Sequence, residues 1–400
     1  MVHVAERTTR IEPTASSVAT QRARQLRAEG HDVIALTQGE PDFATPDHVL
    51  DAAYKAMKDG ETRYTAVGGT AQLLDAIRYK FSRDNGLDYA ADQVMAANGG
   101  KQVIYNALMS TVEPGDEVIM FAPYWVAYVD MTRFAEGVPV VVECDEANGF
   151  KVTPEQLEAA ITPKTRWIIM NSPNNPAGGV YSADELRALA DVLLRHERVM
   201  VMCDDIYEHI IFDGLEFATM AQVAPEMFDR TLTLNGVSKA YSMTGWRIGF
   251  CGGPAELIKV MSKLQNQSTG NTCSVAQAAA VAALTGPQDL VHERTAVFQR
   301  RRDLVVDMLN DAAGLSCLTP KGAFYAYPNC SGLIGRRAPS GQVMQADRDV
   351  VLYLMEQAGV GGVHGEAYGL SPHFRISFAA STEELEEACR RIQAACQALA

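Results

Sequence analysis

The sequence predicts an α/β layered fold, and three observations carry that prediction. Apolar runs of strand length alternate with helical patterns along most of the chain. The runs are nearly continuous rather than interleaved with polar residues, as in strands covered by helices on both faces. Finally, 400 residues with 47% apolar content can bury a sizeable core, which fits one large and one small lobe.

In chain order, residues 15–29 read as a helix of mixed polarity ending at Gly30, and Val33–Leu36 as a short strand running into Gly39-Glu-Pro. Pro46 opens a helix to about Lys58, closed by Gly60. Gly99-Gly-Lys-Gln102 precedes the apolar helix pattern Val103–Val112, so backbone amides point out of a helix N-terminus there, a geometry that binds phosphate. The strand-length runs are Val118–Phe121, Val138–Val142, Trp167–Asn171, Val199–Asp204, Thr231–Leu234 and Ile248–Cys251. Leu290 to about Asn310 reads as a long charged helix able to bridge lobes, and Arg375 falls on a short strand between Phe374 and Ile376. Leu385, Ala388, Ile392, Ala395 and Leu399 follow helical spacing.

Composition excludes several classes of function. Lys plus Arg number 35 against 49 Asp plus Glu, a net charge of −14 that argues against a nucleic-acid partner. No uncharged apolar run is long enough to span a membrane, so no membrane partner is expected. Met1–Arg10 carries charges and no apolar block, so no secretory signal is read and the expected compartment is the cytoplasm. Eight cysteines occur without a C-x-x-C pair or a nearby histidine cluster, which predicts reduced, mostly buried thiols and no metal site.

The chemistry centres on the stretch from Thr233 to Gly249. Lys239 sits in a polar turn after the apolar run Thr231–Leu234, with Arg247 eight positions later. A lysine held on the loop after a buried strand loses hydration, which lowers its pKa and frees the amine as a nucleophile toward carbonyl carbon. Asp204 ends an apolar strand, with Tyr207 three residues on.

The S-K-A-x-x-M-T-G-W-R-I-G pattern from Ser238 to Gly249 resembles the lysine motif of the pyridoxal-phosphate aminotransferases of fold type I, in the class I/II branch that includes bacterial aspartate aminotransferases. The resemblance runs from Leu36-Thr-Gln-Gly-Glu-Pro-Asp-Phe43 to Phe374-Arg-Ile-Ser377. It implies a large domain over 49–295 with a mostly parallel seven-stranded sheet, and a smaller α/β domain from 1–48 and 296–400. It also implies a homodimer and pyridoxal 5′-phosphate as cofactor. Lys239 would carry the cofactor and move the proton. Asp204 would pair with the pyridine nitrogen and Tyr207 donate to the ring oxygen. Gly99, Gly100, Lys101, Ser238 and Arg247 would hold the phosphate, Trp125 would stack on the ring, and Asn175 would contact the ring oxygen and substrate. Tyr64 would reach the phosphate of the partner subunit, Arg375 would clamp the substrate α-carboxylate with the Gly39 amide beside it, and Lys101 would hold a side-chain carboxylate. Three positions depart from the family pattern: Gly236 replaces a serine, His364 a proline, and Asp205 a glutamate common among relatives.

The expected reaction is transfer of an amino group between an L-amino acid, aspartate first, and a 2-oxo acid such as 2-oxoglutarate. Prephenate, aromatic amino acids or alanine are alternatives as substrates, and a carbon–sulfur lyase is an alternative reaction. A cofactor-sensing regulator would need an N-terminal DNA-binding domain, for which the 38 residues before Gly39 are too few against a domain minimum of about 50.

Overall fold

The computed structural model describes residues 2–400. Its strands are β1 (Ile34–Ala35), β2 (Val94–Ala97), β3 (Glu117–Ala122), β4 (Val138–Glu143), β5 (Thr165–Asn171), β6 (Met200–Asp204), β7 (Thr231–Gly236), β8 (Gly249–Gly252), β9 (Tyr325–Ala326), β10 (Val360–Gly361), β11 (Val363–His364) and β12 (Phe374–Ser377). Seven of them form one sheet in the order β2-β8-β7-β6-β5-β3-β4. Pairing is parallel from β4 through β7, and β8 runs antiparallel to both β7 and β2.

The continuous apolar runs follow from burial on both faces. Successive side chains of a strand point to opposite sides. Trp167, Ile169 and Met202 therefore join one core with Val103 and Leu108 of the helix Gly100–Thr111 and Met261 of the helix Ala255–Ser268. Ile168, Met170 and Val201 join the opposite core with Leu186 and Leu189 of the helix Ala183–Leu193. That helix starts with a reciprocal cap: the Ser182 hydroxyl accepts from the Glu185 amide, and the Glu185 carboxylate accepts from the Ser182 amide.

A third core gathers Leu36, Phe324, Val360, Phe374 and Ile376 from the short strands with Leu385 and Ile392 of the C-terminal helix Thr382–Gln397. Its sheets are small: β1 pairs with β10, and β12 lies between β11 and β9. The long helix Asp289–Asn310 places Val291 in one core and Phe298 and Val305 in another, so it joins two cores.

Two differences from the sequence reading have physical causes. The edge strand β2 was not anticipated, because Val94-Met-Ala-Ala97 lacks the β-branched enrichment of its neighbours. The strand read as starting at Ile248 starts at Gly249, because Arg247 takes a left-handed conformation (φ 57°) that ends the preceding turn.

One edge of the large sheet collects the chemistry. β5, β6 and β7 end there at Asn171, Asp204 and Gly236, and β2 ends there before Gly99. β8, being antiparallel, starts there just after Arg247. Ligands in open α/β sheets bind outside the carboxyl ends of the strands.

Candidate active site

A cleft of about 910 Å³ opens at this edge. Lys239, Asp204, Tyr207, Ser238 and Arg247 line it, as do Gly39, Gly100, Lys101, Trp125, Asn175 and Arg375. Gly99 borders it through Arg247: a Cβ added at Gly99 would lie 2.1 Å from that guanidinium. Tyr64 is the one expected residue the chain does not bring to the cleft, and it is 98% exposed.

Lys239 reaches back across the cleft floor, donating from Nζ to the Gly39 carbonyl at 2.6 Å. Burial first, and the Arg375 and Arg247 charges second, lower its pKa from 10.5 to about 8. Its amine is therefore partly neutral at physiological pH, the form that can attack carbonyl carbon or accept a proton.

Asp204 is buried at the end of β6. The Tyr128 hydroxyl donates to its Oδ2 at 2.6 Å, while Oδ1 is buried with no hydrogen-bond partner among the described residues. Burial raises its pKa from 3.8 to about 6, against the opposing effect of the Tyr128 bond. Asp205 is also buried, but the pleat turns it away from the cleft. The Asn171 amide donates to the Asp204 carbonyl at 2.7 Å, and Asn171 Oδ1 accepts from the Asn175 amide at 2.7 Å, so β5 and β6 brace each other.

Arg375 is buried on β12, where it donates to Asn175 Oδ1 at 3.0 Å and to the Thr37 carbonyl at 2.5 Å. Its guanidinium lies 4.5 Å from the Tyr325 ring centroid and 5.3 Å from that of Tyr368. Asn175 thus orients this arginine, a contact the sequence did not reveal. Gly39 faces the cleft too, but the bond it makes there is through its carbonyl, to Lys239, whereas the sequence reading concerned its amide.

At the other end, Gly99 has φ 86° and starts the helix Gly100–Thr111. Arg247 donates to the Thr244 carbonyl at 2.8 Å and to the Asn98 carbonyl at 3.4 Å. A Cβ on Gly249 would stand 2.3 Å from the Gly100 nitrogen, so only glycine lets β8 approach the helix start this closely. Gly236 is similarly crowded: a Cβ would meet Ile206 and the Ile248 carbonyl at 3.0 Å, which leaves a serine there no easy seat. Lys101 is exposed as a whole, but its amine leans over the Trp125 ring at 5.1 Å. Desolvation there, with the Arg247 charge second, lowers its pKa. His364 lies outside the cleft at the end of β11 and is half-buried, which lowers its pKa.

These features fit pyridoxal 5′-phosphate. The orphaned Asp204 Oδ1 can accept from a protonated pyridine nitrogen, and the glycine cradle beside Arg247 and Ser238 suits a phosphate.

Sequence reasoning missed Tyr128, Asn171, Tyr325 and Thr37, whose roles arise from contacts between distant segments. It read the helix Ala15–Ala28 but not its place at the cleft, which the helix lines with Ser16, Thr20 and Arg24. Their i, i+4, i+8 spacing on a helix that buries Ala23 and Leu26 was a usable signal.

Comparison with known proteins agrees with this geometry. A family profile described as "Aminotransferase class I and II" matches residues 31–392. An aspartate/prephenate aminotransferase from Cereibacter sphaeroides is 53% identical over 399 residues, covering 100% of both chains. An aspartate aminotransferase from Rhizobium meliloti is 54% identical over 378 residues, or 94% of this chain and 92% of the relative. A crystal structure of the aspartate aminotransferase from Rhizobium meliloti superposes with a TM-score of 0.98 at 52% identity, covering 100% of both chains. The Thermus thermophilus aspartate aminotransferase with maleate superposes at 0.90 with 38% identity, over 99% of this chain and 100% of that one. With that match running through the cleft residues and nearly the whole chain, the protein belongs to the class I and II aminotransferases, a pyridoxal-phosphate-dependent family.

Proposed function

We propose that the protein moves amino groups between dicarboxylic amino acids, aspartate first, and 2-oxo acids such as 2-oxoglutarate. One observation carries the substrate class: Arg24, Lys101, Lys239, Arg247 and Arg375 line the cleft against only Glu40 and Asp204, in a chain of net charge −14. A positive cleft in a negative protein concentrates dianions. After cofactor phosphate claims Arg247, Arg375 and Lys101 remain for two carboxylates. Arg375 now donates to neutral oxygens and Lys101 lies over Trp125, so each can accept a carboxylate without breaking an ion pair. The names of the relatives from Cereibacter sphaeroides and Rhizobium meliloti point the same way. Prephenate, which carries two carboxylates, is the second reading and is favoured by the name of the Cereibacter sphaeroides relative.

When bound, pyridoxal 5′-phosphate supplies an electron sink for the electrons released at the substrate α-carbon. Asp204 would hold the ring nitrogen protonated, Tyr207 would donate to the ring oxygen, and Trp125 would cover one ring face. Gly99, Gly100, the backbone amide of Lys101, Ser238 and Arg247 would hold the phosphate. Arg375, oriented by Asn175, would fix the α-carboxylate so that the α-hydrogen faces Lys239. The Lys239 amine, poised near pH 8, would take that proton and deliver it on the cofactor side. The second half-reaction runs the same proton path in reverse with another oxo acid.

The working unit we propose is a homodimer. Leu50, Tyr54 and Met57 expose a stripe at i, i+4, i+7 on the helix Asp47–Lys58, and Tyr64 follows it fully exposed. A second copy would cover that stripe and receive Tyr64 at its phosphate site. The division we propose is a large domain over 49–295 and a small one over 1–48 and 296–400, with cores that meet where Tyr207, Ile210 and Phe212 pack with the small-domain core and Phe150 and Ala177 pack with Tyr327 and Tyr368. The cytoplasm is the proposed compartment, since all the cysteines are free thiols and all but Cys273 are buried. No helix among the described residues is long and apolar enough to cross a membrane.

The test compares aspartate with alanine and phenylalanine as donors in the wild type and in Lys101→Ser. A charge-assisted hydrogen bond contributes about 1.5–3 kcal/mol, so the variant should lose roughly ten- to a hundredfold in kcat/KM for aspartate and little for alanine. Cofactor affinity is measured alongside. Wild type preferring alanine or phenylalanine would overturn the dicarboxylate reading, and an acceptor panel with prephenate separates the second one.

A further inference from the structure

The reaction outlined above leaves one buried phenol of the cleft without a role. Tyr325 on β9 is 1% exposed, and its hydroxyl lies 2.8 Å from that of Tyr207. We propose that Tyr325 is a positioning residue: its O–H donates to the Tyr207 oxygen and so aims the Tyr207 proton into the cleft, at the cofactor's ring oxygen. The inference rests on the proposed place of Tyr207 beside that oxygen.

Counting protons decides the direction of the bond. Each phenol has one donor proton. The bond to Tyr207 is the only hydrogen bond of the Tyr325 side chain among the described residues. Were Tyr207 the donor, its proton would be spent on Tyr325, and the Tyr325 proton would be left buried without an acceptor, at a cost of about 1–3 kcal/mol. With Tyr325 as donor, both protons are used, and Tyr207 keeps its own for the cleft.

The packing holds this arrangement in place. The two rings meet edge to face at 5.8 Å and 82°, and Phe324 packs edge-on against Tyr207 at 5.4 Å. The Arg375 guanidinium covers the Tyr325 ring at 4.5 Å. Gly39 supplies the seat for the hydroxyl, because a Cβ there would stand 1.9 Å from it. The charged and titratable groups facing the pair are Arg375, Asp204, Lys239 and Tyr368. Burial raises both phenols, Tyr325 to about 12, despite Arg375 pulling the other way, so both remain protonated donors across the working pH range.

A hydroxyl that accepts a hydrogen bond donates a stronger one, by about 10–30%. Donation to the ring oxygen favours its anionic form, so loss of that bond raises the pH at which the visible band of the loaded enzyme titrates. The experiment records this band against pH for wild-type holoenzyme, Tyr325→Phe, Tyr207→Phe and the double variant. Phenylalanine at 325 keeps the ring and its contacts with Arg375 and Phe324. Tyr207→Phe should raise the midpoint by about 1–2 pH units. Tyr325→Phe should raise it by about 0.2–0.6 unit in the wild-type background and leave it unchanged in the Tyr207→Phe background. An unchanged midpoint in Tyr325→Phe, or an equal shift in both backgrounds, overturns the relay, the second result assigning the effect to Arg375. No shift in Tyr207→Phe overturns the placing of Tyr207 itself, and the relay with it.

Discussion

Replacing Asp204 with asparagine should stabilise the cofactor-free protein while destroying its function. The folded environment raises the carboxyl pKa from 3.8 to about 6 by burial, and that difference corresponds to a ceiling of roughly 3 kcal/mol against the charged form. Asparagine removes the charge, still accepts from Tyr128, and leaves its amide NH2 group unpartnered where Oδ1 stood, which costs about 1–3 kcal/mol. The net gain expected at pH 7.5 is about 1 kcal/mol. Between pH 3.8 and about 6 the folded wild type binds more protons than the unfolded chain. Its stability therefore falls as pH rises through that window, and Asp204→Asn lacks this part of the slope. Urea midpoints at pH 4, 5, 6 and 7.5, at one protein concentration, measure it. With cofactor bound the ranking should invert, because the wild-type carboxylate gains a charge-assisted bond that the amide cannot match. Equal pH slopes in the two cofactor-free proteins would refute the claim that Asp204 is a penalised buried charge. Turnover in the variant should drop by orders of magnitude in either case.

Gly99→Ala should weaken cofactor binding at least tenfold with an unchanged far-ultraviolet CD spectrum, since its Cβ would fall 2.1 Å from the Arg247 guanidinium at a φ of 86°. A fluorescence titration with pyridoxal phosphate reads that out, and unchanged affinity would remove Arg247 from the phosphate site. Reductive alkylation of the cofactor-free protein by a small aldehyde should modify Lys239 with a midpoint near pH 8 rather than 10.5, as peptide mapping can resolve. In the loaded enzyme, borohydride should fix the cofactor to the Lys239 peptide and to no other.

What could be read from the sequence divides by distance along the chain. The central strands were legible because burial on both faces writes a continuous apolar run, as in Trp167-Ile-Ile-Met170. Lys239, Asp204 and Arg247 were legible because each sits at or beside the end of such a run, where a strand meets the cleft. The small sheets were mostly not, since β1, β9, β10 and β11 have two residues each, too few to show a period. Tyr128 on Asp204 and Tyr325 on Tyr207 join positions 76 and 118 residues apart, and no local pattern encodes such a pairing. Tyr64 is a different case: in the homodimer proposed above, its place would depend on a surface of the second copy.

The carbonyls of Thr37 and Gly39 accept from Arg375 and Lys239, the two cations the chemistry must free. They serve as placeholders. A buried cation without a partner is costly, and a carboxylate partner would have to be displaced at the full cost of an ion pair. A neutral carbonyl is the intermediate choice: it keeps each cation hydrogen-bonded and aimed in the cofactor-free protein, yet yields to the cofactor at Lys239 and to a carboxylate at Arg375. The three-residue stretch Thr37–Gly39 therefore supplies stand-in acceptors for both cations.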